Sequence, residues 1–197
     1  PFFLYLSHFA PHNPLQALRD DYDHFHHIEG EFSEELKVYS GMLKALDRSV
    51  GRILDTLEKN NLTDNTLIVL TSDNGGANYI HLSDINKPYR GWKLTHFEGG
   101  LHVPFMAKWP NKIEPGIEFN APIHANDILP TFAAAAGAEL PDDRIIDGVN
   151  LLPFLQNHNS EMPHETLYWL QGRLQTVLHE NWKLITDHRT GKDWLFN

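Results

Sequence analysis

Leu36, Tyr39, Leu43, Leu46, Val50, Ile53 and Leu57 recur at helical spacing, and the continuous apolar run Thr66-Leu67-Ile68-Val69-Leu70-Thr71 follows them. The first pattern is the stripe of a long amphipathic helix, and the second is a strand buried on both faces. Ser33 is the expected N-cap, Glu34 and Glu35 fall in the electropositive first turn, and the helix should end near Asn60-Asn61. Ahead of the helix, Phe2-Phe3-Leu4-Tyr5-Leu6-Ser7 is apolar on both faces and reads as an earlier buried strand. A strand, a helix and a second buried strand make a right-handed crossover unit, so the expected architecture is α/β, a mostly parallel sheet flanked by helices.

Beyond the second strand, Asn74 to Tyr89 lacks periodicity and reads as a loop of functional length. Val103 to Trp109 is a further short strand. Asn126-Asp127 forms a cap region before Ile128-Leu129-Pro130-Thr131 and an alanine-rich helix that ends at Gly137, and Asp147-Gly148 marks a turn. From Thr166 the pattern changes. Leu167 to Leu170, Leu174 to Leu178 and Trp182 to Ile185 are short runs divided by polar turns, as in an antiparallel meander. The expected organisation is therefore residues 1–153 as the central part of an α/β domain, and residues 154–197 as the start of a small antiparallel subdomain, joined near residues 154–165.

Sixteen basic residues stand against 26 acidic ones, a formal charge of -10, and the basic residues are scattered. Nucleic acid is disfavoured as a partner on that ground, because phosphate binding needs clustered Lys and Arg. No tract is long enough for a membrane span. Zero cysteines exclude disulfides and thiolate metal sites within these 197 residues. The chain opens on an apolar run without an initiator Met and closes on Asp193-Trp194-Leu195-Phe196-Asn197, so it is expected to be a piece of a longer protein. Asn61-Leu62-Thr63 has the form of an N-glycosylation sequon, for which chance is an adequate account.

Chemistry concentrates in three places. Ser72-Asp73-Asn74-Gly75-Gly76 follows the strand at Thr66 to Thr71, and the carboxylate of Asp73 beside the carbonyl of Asn74 offers the oxygens that Ca²⁺ or Mg²⁺ prefers. Taken alone, the same residues are an ordinary polar turn. His12, within Pro11-His12-Asn13-Pro14, lies just past the first expected strand. Arg90-Gly91-Trp92-Lys93 leads into Phe97-Glu98-Gly99-Gly100-Leu101, and Lys93 is a cation in a segment otherwise aromatic and apolar. Glu98 is expected to fix that turn or to pair with a neighbouring base. His81, His96, His102 and His124 are candidate pocket residues only. His24, His26 and His27 read as one acidic surface loop.

Together these motifs resemble the formylglycine-dependent sulfatases of the alkaline phosphatase superfamily, including the arylsulfatases. Val103-Pro104-Phe105, Lys108-Trp109-Pro110, Asp127-Ile128-Leu129-Pro130-Thr131, Asp147-Gly148-Val149-Asn150-Leu151-Leu152-Pro153 and Asn181-Trp182-Lys183-Leu184-Ile185 extend the resemblance over nearly the whole chain. It implies an alkaline phosphatase-like sandwich and hydrolysis of a sulfate monoester, on a carbohydrate or an aryl alcohol. Asp73 and Asn74 match the Asp-Asn pair that completes a Ca²⁺ site in that family. Lys93 matches the lysine that contacts the sulfate and assists the departing alcohol, and His12 matches a histidine that contacts the sulfate and donates a proton to the leaving oxygen. The Cys- or Ser-x-Pro-x-Arg segment that is oxidised to formylglycine does not occur in these residues, and neither do the first acidic ligands of the cation. The fragment alone is expected to be inactive. The resemblance further implies a formylglycine-generating system as maturation partner and a periplasmic or secreted location. Two other readings stand beside it: a phosphonate monoester hydrolase or phosphodiesterase on the same fold, and a noncatalytic binding module that keeps the fold.

Overall fold

The computed structural model describes residues 1–82, 85–157 and 161–197. The chain forms two compact units, Pro1–Thr63 with Ala77–Ile85, and Asp64–Gly76 with Asn86–Asn197. Parts of two expected features, the loop at Asn74 to Tyr89 and the junction at residues 154–165, lie outside the described residues at 83–84 and 158–160.

In the first unit, the short helix α1 (Arg19–Asp23) packs on α2 (Ser33–Lys59). The Arg48 guanidinium clamps the buried Asp21 carboxylate with two bonds of 2.7 and 2.8 Å, which fixes α1 on the α2 surface. The long helix occupies the residues its periodicity predicts and stops at Asn60, with Asn61 left-handed at φ 55°. Ser33 is not the N-cap. It is the first helical residue, and Phe32, at φ 59° and without a capping side chain, takes the boundary position because the chain enters through the left-handed turn after Gly30.

Phe2 to Ser7 forms no strand. Phe2 to Leu6 are 48–79% exposed, so the crossover unit expected at the start of the chain is not formed. Strand structure needs a neighbour to pair its N–H and C=O groups, and apolar composition alone does not supply one.

Among its described residues the second unit contains two sheets, both antiparallel. Strand β1 (Ile68–Thr71) pairs with β2 (Phe105–Lys108), with Ile68 opposite Lys108 and Thr71 opposite Phe105. Helix α3 (Glu98–Leu101) lies between these strands in sequence, and α4 (Ile128–Ala136) and α5 (Leu152–Leu155) follow β2. Gly137, left-handed at φ 65°, ends α4 as its sequence predicts. The buried Asp127 ahead of α4 accepts bonds from the amides of His124 (2.7 Å) and Val149 (2.9 Å) and contacts the His164 ring (2.9 Å), which ties the 147–149 turn to the start of the helix.

The meander expected after Thr166 is present as β3 (Thr166–Gln171), β4 (Leu174–His179), β5 (Trp182–Asp187) and β6 (Lys192–Phe196), in that spatial order. Along β5 the buried residues alternate as Lys183, Ile185 and Asp187. Both charged members are paired, Lys183 with Glu98 and Asp187 with Arg173 at 3.1 Å. Burial of a charge at such positions requires a partner, and α3 supplies one of them.

Candidate active site

Four glycines bring the chemically marked segments of the second unit together. Strand β1 delivers Ser72-Asp73-Asn74, and the Thr71 hydroxyl donates to the Pro104 carbonyl (3.0 Å), pinning the end of β1 to the start of β2. The Gly75 amide donates to the Gly100 carbonyl (3.1 Å), and a Cβ at Gly75 would collide with the carbonyl of Gly99. A Cβ at Gly99 would in turn strike the Gly91 carbonyl, and one at Gly100 the carbonyls of Trp92 and Thr95. Backbone therefore lies directly on backbone, a packing that side chains forbid.

Lys93 sits in the turn that follows Gly91. Its amide donates to the Gly76 carbonyl (3.0 Å), which joins the lysine segment to the Asp-Asn loop. The Thr95 amide and hydroxyl close the turn onto the Trp92 carbonyl at 2.9 and 2.7 Å. Leu94 is held left-handed at φ 73°, a conformation that costs a side-chain-bearing residue roughly 1–3 kcal/mol. Strain of that kind persists only where the surroundings impose it, and here it lies next to the cation.

Below this turn, His96 is buried and its Nδ1 shares a 2.8 Å hydrogen bond with Thr176 Oγ1 of β4. Burial, and then the nearby Lys183 charge, push the imidazole below its ordinary pKa, so it is neutral at pH 7. Glu98, the first residue of α3, accepts from Lys183 through Oε1 and contacts His102 Nδ1 at 3.1 Å through Oε2. It pairs with neighbouring bases, one of the two roles the sequence suggests. Lys183 also stands 5.9 Å from the centroid of the Trp169 ring.

These contacts frame an open cavity of about 400 Å³. Asp73, Asn74 and Lys93 line it together, His96 and Gly100 contribute to its floor, and Trp169, Leu170 and Gln171 of the edge strand β3 form one side. Asp73 is exposed and Lys93 half-buried. Three of the four residues singled out in the sequence therefore converge. The fourth, His12, belongs to the first unit, where it is exposed, packs 5.4 Å from the Phe9 ring and places Nδ1 2.8 Å from the Asn13 carbonyl oxygen.

The donors at the Asp-Asn loop suit a hard cation in type. Asp73 offers a carboxylate, and Asn74 spends its amide hydrogen on the Gly75 carbonyl (3.0 Å), leaving its own carbonyl oxygen to coordinate. Two residues are half a Ca²⁺ shell at most, and among the described residues no group of three or more His, Cys, Asp or Glu could hold a metal ion.

Of the histidines noted as pocket candidates, His96 lines the cavity. His102 pairs with Glu98, His81 stacks on Phe32 in the first unit at 6.1 Å, and His124 stands 5.8 Å from Trp169. Trp169 escaped sequence reasoning, because period-two patterning assigns a strand residue to a face without telling what that face meets.

A family model described as Sulfatase matches residues 1–138. The chain belongs to the sulfatase family. A second model, for the C-terminal region of N-sulphoglucosamine sulphohydrolase, matches residues 91–195, so sulfatase likeness runs through the meander as well. Steryl-sulfatase of Rattus norvegicus is 38% identical over 85% of this chain and 29% of its own length. The uncharacterized sulfatase YdeN of Escherichia coli is 37% identical over 92% of this chain and 32% of its own. This sulfatase chain thus spans about a third of the curated relatives it matches.

Among solved structures, the crystal structure of Ps i-CgsB superposes with a TM-score of 0.90 at 38% identity, covering all of this chain and 43% of that one. Ps i-CgsB in complex with k-i-k-neocarrahexaose gives 0.89 at 39% identity over the same shares. The fold is accordingly part of an alkaline phosphatase-like sulfatase sandwich carrying a C-terminal antiparallel sheet. A phosphonate monoester hydrolase, SpPMH from Silicibacter pomeroyi, shares that fold with a TM-score of 0.64 at 20% identity.

Proposed function

We propose that the complete protein is a sulfuric ester hydrolase acting on the sulfate monoester of a carbohydrate, and that the cavity of the second unit is its sulfate-binding site. The observation that carries this reading is the meeting of Asp73, Asn74 and Lys93 at one cavity walled by Trp169. A sulfate ester gathers negative charge on its oxygens as the ester bond breaks. The Lys93 ammonium neutralises that charge and favours departure of the alcohol. Asp73 and Asn74 would hold one side of a Ca²⁺ ion, with Mg²⁺ as the harder substitute, and such an ion supplies further charge stabilisation when bound. Among the described residues no group of three or more His, Cys, Asp or Glu could hold a metal ion, so the rest of its shell would come from elsewhere in the complete protein.

His12 serves in this reading as a second contact to the sulfate and as the proton donor to the leaving oxygen, general-acid work of which an imidazole is capable. The nucleophile is a formylglycine hydrate contributed by another part of the protein and installed by a formylglycine-generating system. The location is periplasmic or secreted, where sulfated polymers are met.

The carbohydrate is preferred over an aryl alcohol because Trp169 offers an aromatic face beside the cavity, suited to the apolar face of a sugar ring. Two relatives support the class. Steryl-sulfatase is a sulfatase by name, and Ps i-CgsB has been crystallised with a neocarrahexaose.

The test uses the full-length protein co-expressed with a formylglycine-generating enzyme and assayed on sulfated oligosaccharides, an aryl sulfate and a phosphonate monoester. Sulfate release from an oligosaccharide is the expected result. Cleavage of the phosphonate without sulfate release would replace the assignment with the phosphonate hydrolase, and no turnover of any ester would favour a binding module.

A further inference from the structure

Asn86 was not singled out by any motif, yet its carboxamide is fully engaged with the backbone of the two segments that meet at the cavity. Its Oδ1 accepts from the Gly76 amide at 2.8 Å. Its Nδ2 donates to the Gly76 carbonyl at 2.9 Å and to the Gly91 carbonyl at 3.1 Å. Gly76 lies two residues beyond Asn74, and Gly91 two residues before Lys93. The Gly76 carbonyl also receives the Lys93 amide at 3.0 Å, so one peptide group holds both Asn86 and the lysine segment.

Pairing both the N–H and the C=O of one residue is what a neighbouring strand does, and here a side chain takes the strand's place. The carboxamide is suited to it, since it combines one acceptor with two donors in a single plane. Aspartate has the same shape but no donor, and would point a carboxylate oxygen at two carbonyl oxygens. Leucine would leave the Gly76 and Gly91 groups without their partners.

We propose that Asn86 is a positioning residue which sets the distance between Lys93 and the Asp73-Asn74 pair. The amide carries no charge and lines no part of the cavity among the described residues, so it acts through the lysine segment. This inference rests on the reading that Lys93 and the Asp-Asn pair address one sulfate group. Displacements of about 1 Å at a reacting centre cost about 100-fold in rate.

The experiment uses the full-length, formylglycine-bearing protein as wild type, Asn86→Ala, Lys93→Ala and the double variant. Asn86→Ser stands in should Asn86→Ala fail to fold. Amide hydrogen exchange is read first. Faster exchange at Gly76 and Lys93, with β3 to β6 still protected, is expected, and unchanged exchange at both amides overturns the clamp whatever ester the enzyme hydrolyses. Sulfate release is read next as a double-variant cycle. Asn86→Ala should lower kcat/KM about 100-fold with Lys93 present, and less than about threefold in the Lys93→Ala background. Equal losses in the two backgrounds would show that Asn86 does not act through Lys93 and would overturn the proposal. Changed exchange in a protein that releases no sulfate would sink the sulfatase reading while supporting the clamp.

Discussion

Thr176 Oγ1 lies 2.8 Å from His96 Nδ1, and both residues are buried, so a single hydrogen bond fastens the middle of the C-terminal sheet to the segment that carries Lys93. The Thr176 hydroxyl can donate to a bare Nδ1 or accept from an Nδ1–H, so the cost of charging the ring lies in its burial and in the nearby Lys183 ammonium rather than in this bond. Burial and the Lys183 charge lower the His96 pKa, and the sign of the consequence follows. Above about pH 6.5, the value of a free imidazole, folded and unfolded chains both carry neutral His96 and nothing is lost. Below it the unfolded chain takes up a proton that the folded chain resists, so stability falls as pH drops toward the lowered folded value. His96→Gln should flatten that part of the profile. Melting temperatures of the two proteins from pH 8 to 5 check it, and parallel curves would refute it.

Glu98 and Lys183 provide a second fastening between α3 and β5. The Lys183 side chain is 9% exposed, whereas that of Glu98 is 46% exposed, so solvent screens the pair and its net worth is small. Removing only the carboxylate is different, because it leaves a buried ammonium without its partner. Glu98→Ala should cost about 2 kcal/mol in denaturant unfolding. The double variant Glu98→Gln with Lys183→Met should recover most of that loss.

Gly75 faces the Gly99 carbonyl with no room for a Cβ. Gly75→Ala must therefore part the Asp-Asn loop from the lysine segment. In the full-length enzyme kcat/KM should fall about 100-fold, with a lowered melting temperature. A variant with wild-type kinetics would show that the glycine contact does not set the site.

Trp169 makes a prediction about substrate choice. Loss of its ring should raise KM for a sulfated oligosaccharide about tenfold while leaving a small aryl sulfate nearly unaffected, since only the sugar reaches the aromatic wall. Steady-state kinetics of Trp169→Ala on the two substrates decide it. Equal effects on both would place Trp169 in a structural role.

The elements with a period of their own were legible in the sequence: α2 from its apolar stripe, α4 from its alanine run and Gly137, and the meander from short runs divided by turns. Phe2 to Ser7 was not, because an apolar segment becomes a strand only against a partner, and Ser33 was misplaced because the chain enters α2 through a left-handed Phe32. At the site, Asp73, Asn74 and Lys93 could be found from residue type and order. Trp169 and Asn86 could not, and His96 stood as one of four histidine candidates with nothing to single it out, since their importance comes from contacts spanning long separations, such as His96 with Thr176, or from binding backbone. Lys183 on the buried face of β5 is the plainest instance, as no local pattern announces a charge whose partner is 85 residues away.

The most direct test of the central claim is a crystal structure of the full-length protein with a sulfated oligosaccharide bound. The account predicts a sulfate oxygen within about 3 Å of Lys93 Nζ, a cation held by Asp73 and Asn74 on the same group, and a sugar ring against Trp169. A sulfate seated elsewhere, with Lys93 turned to solvent, would contradict it.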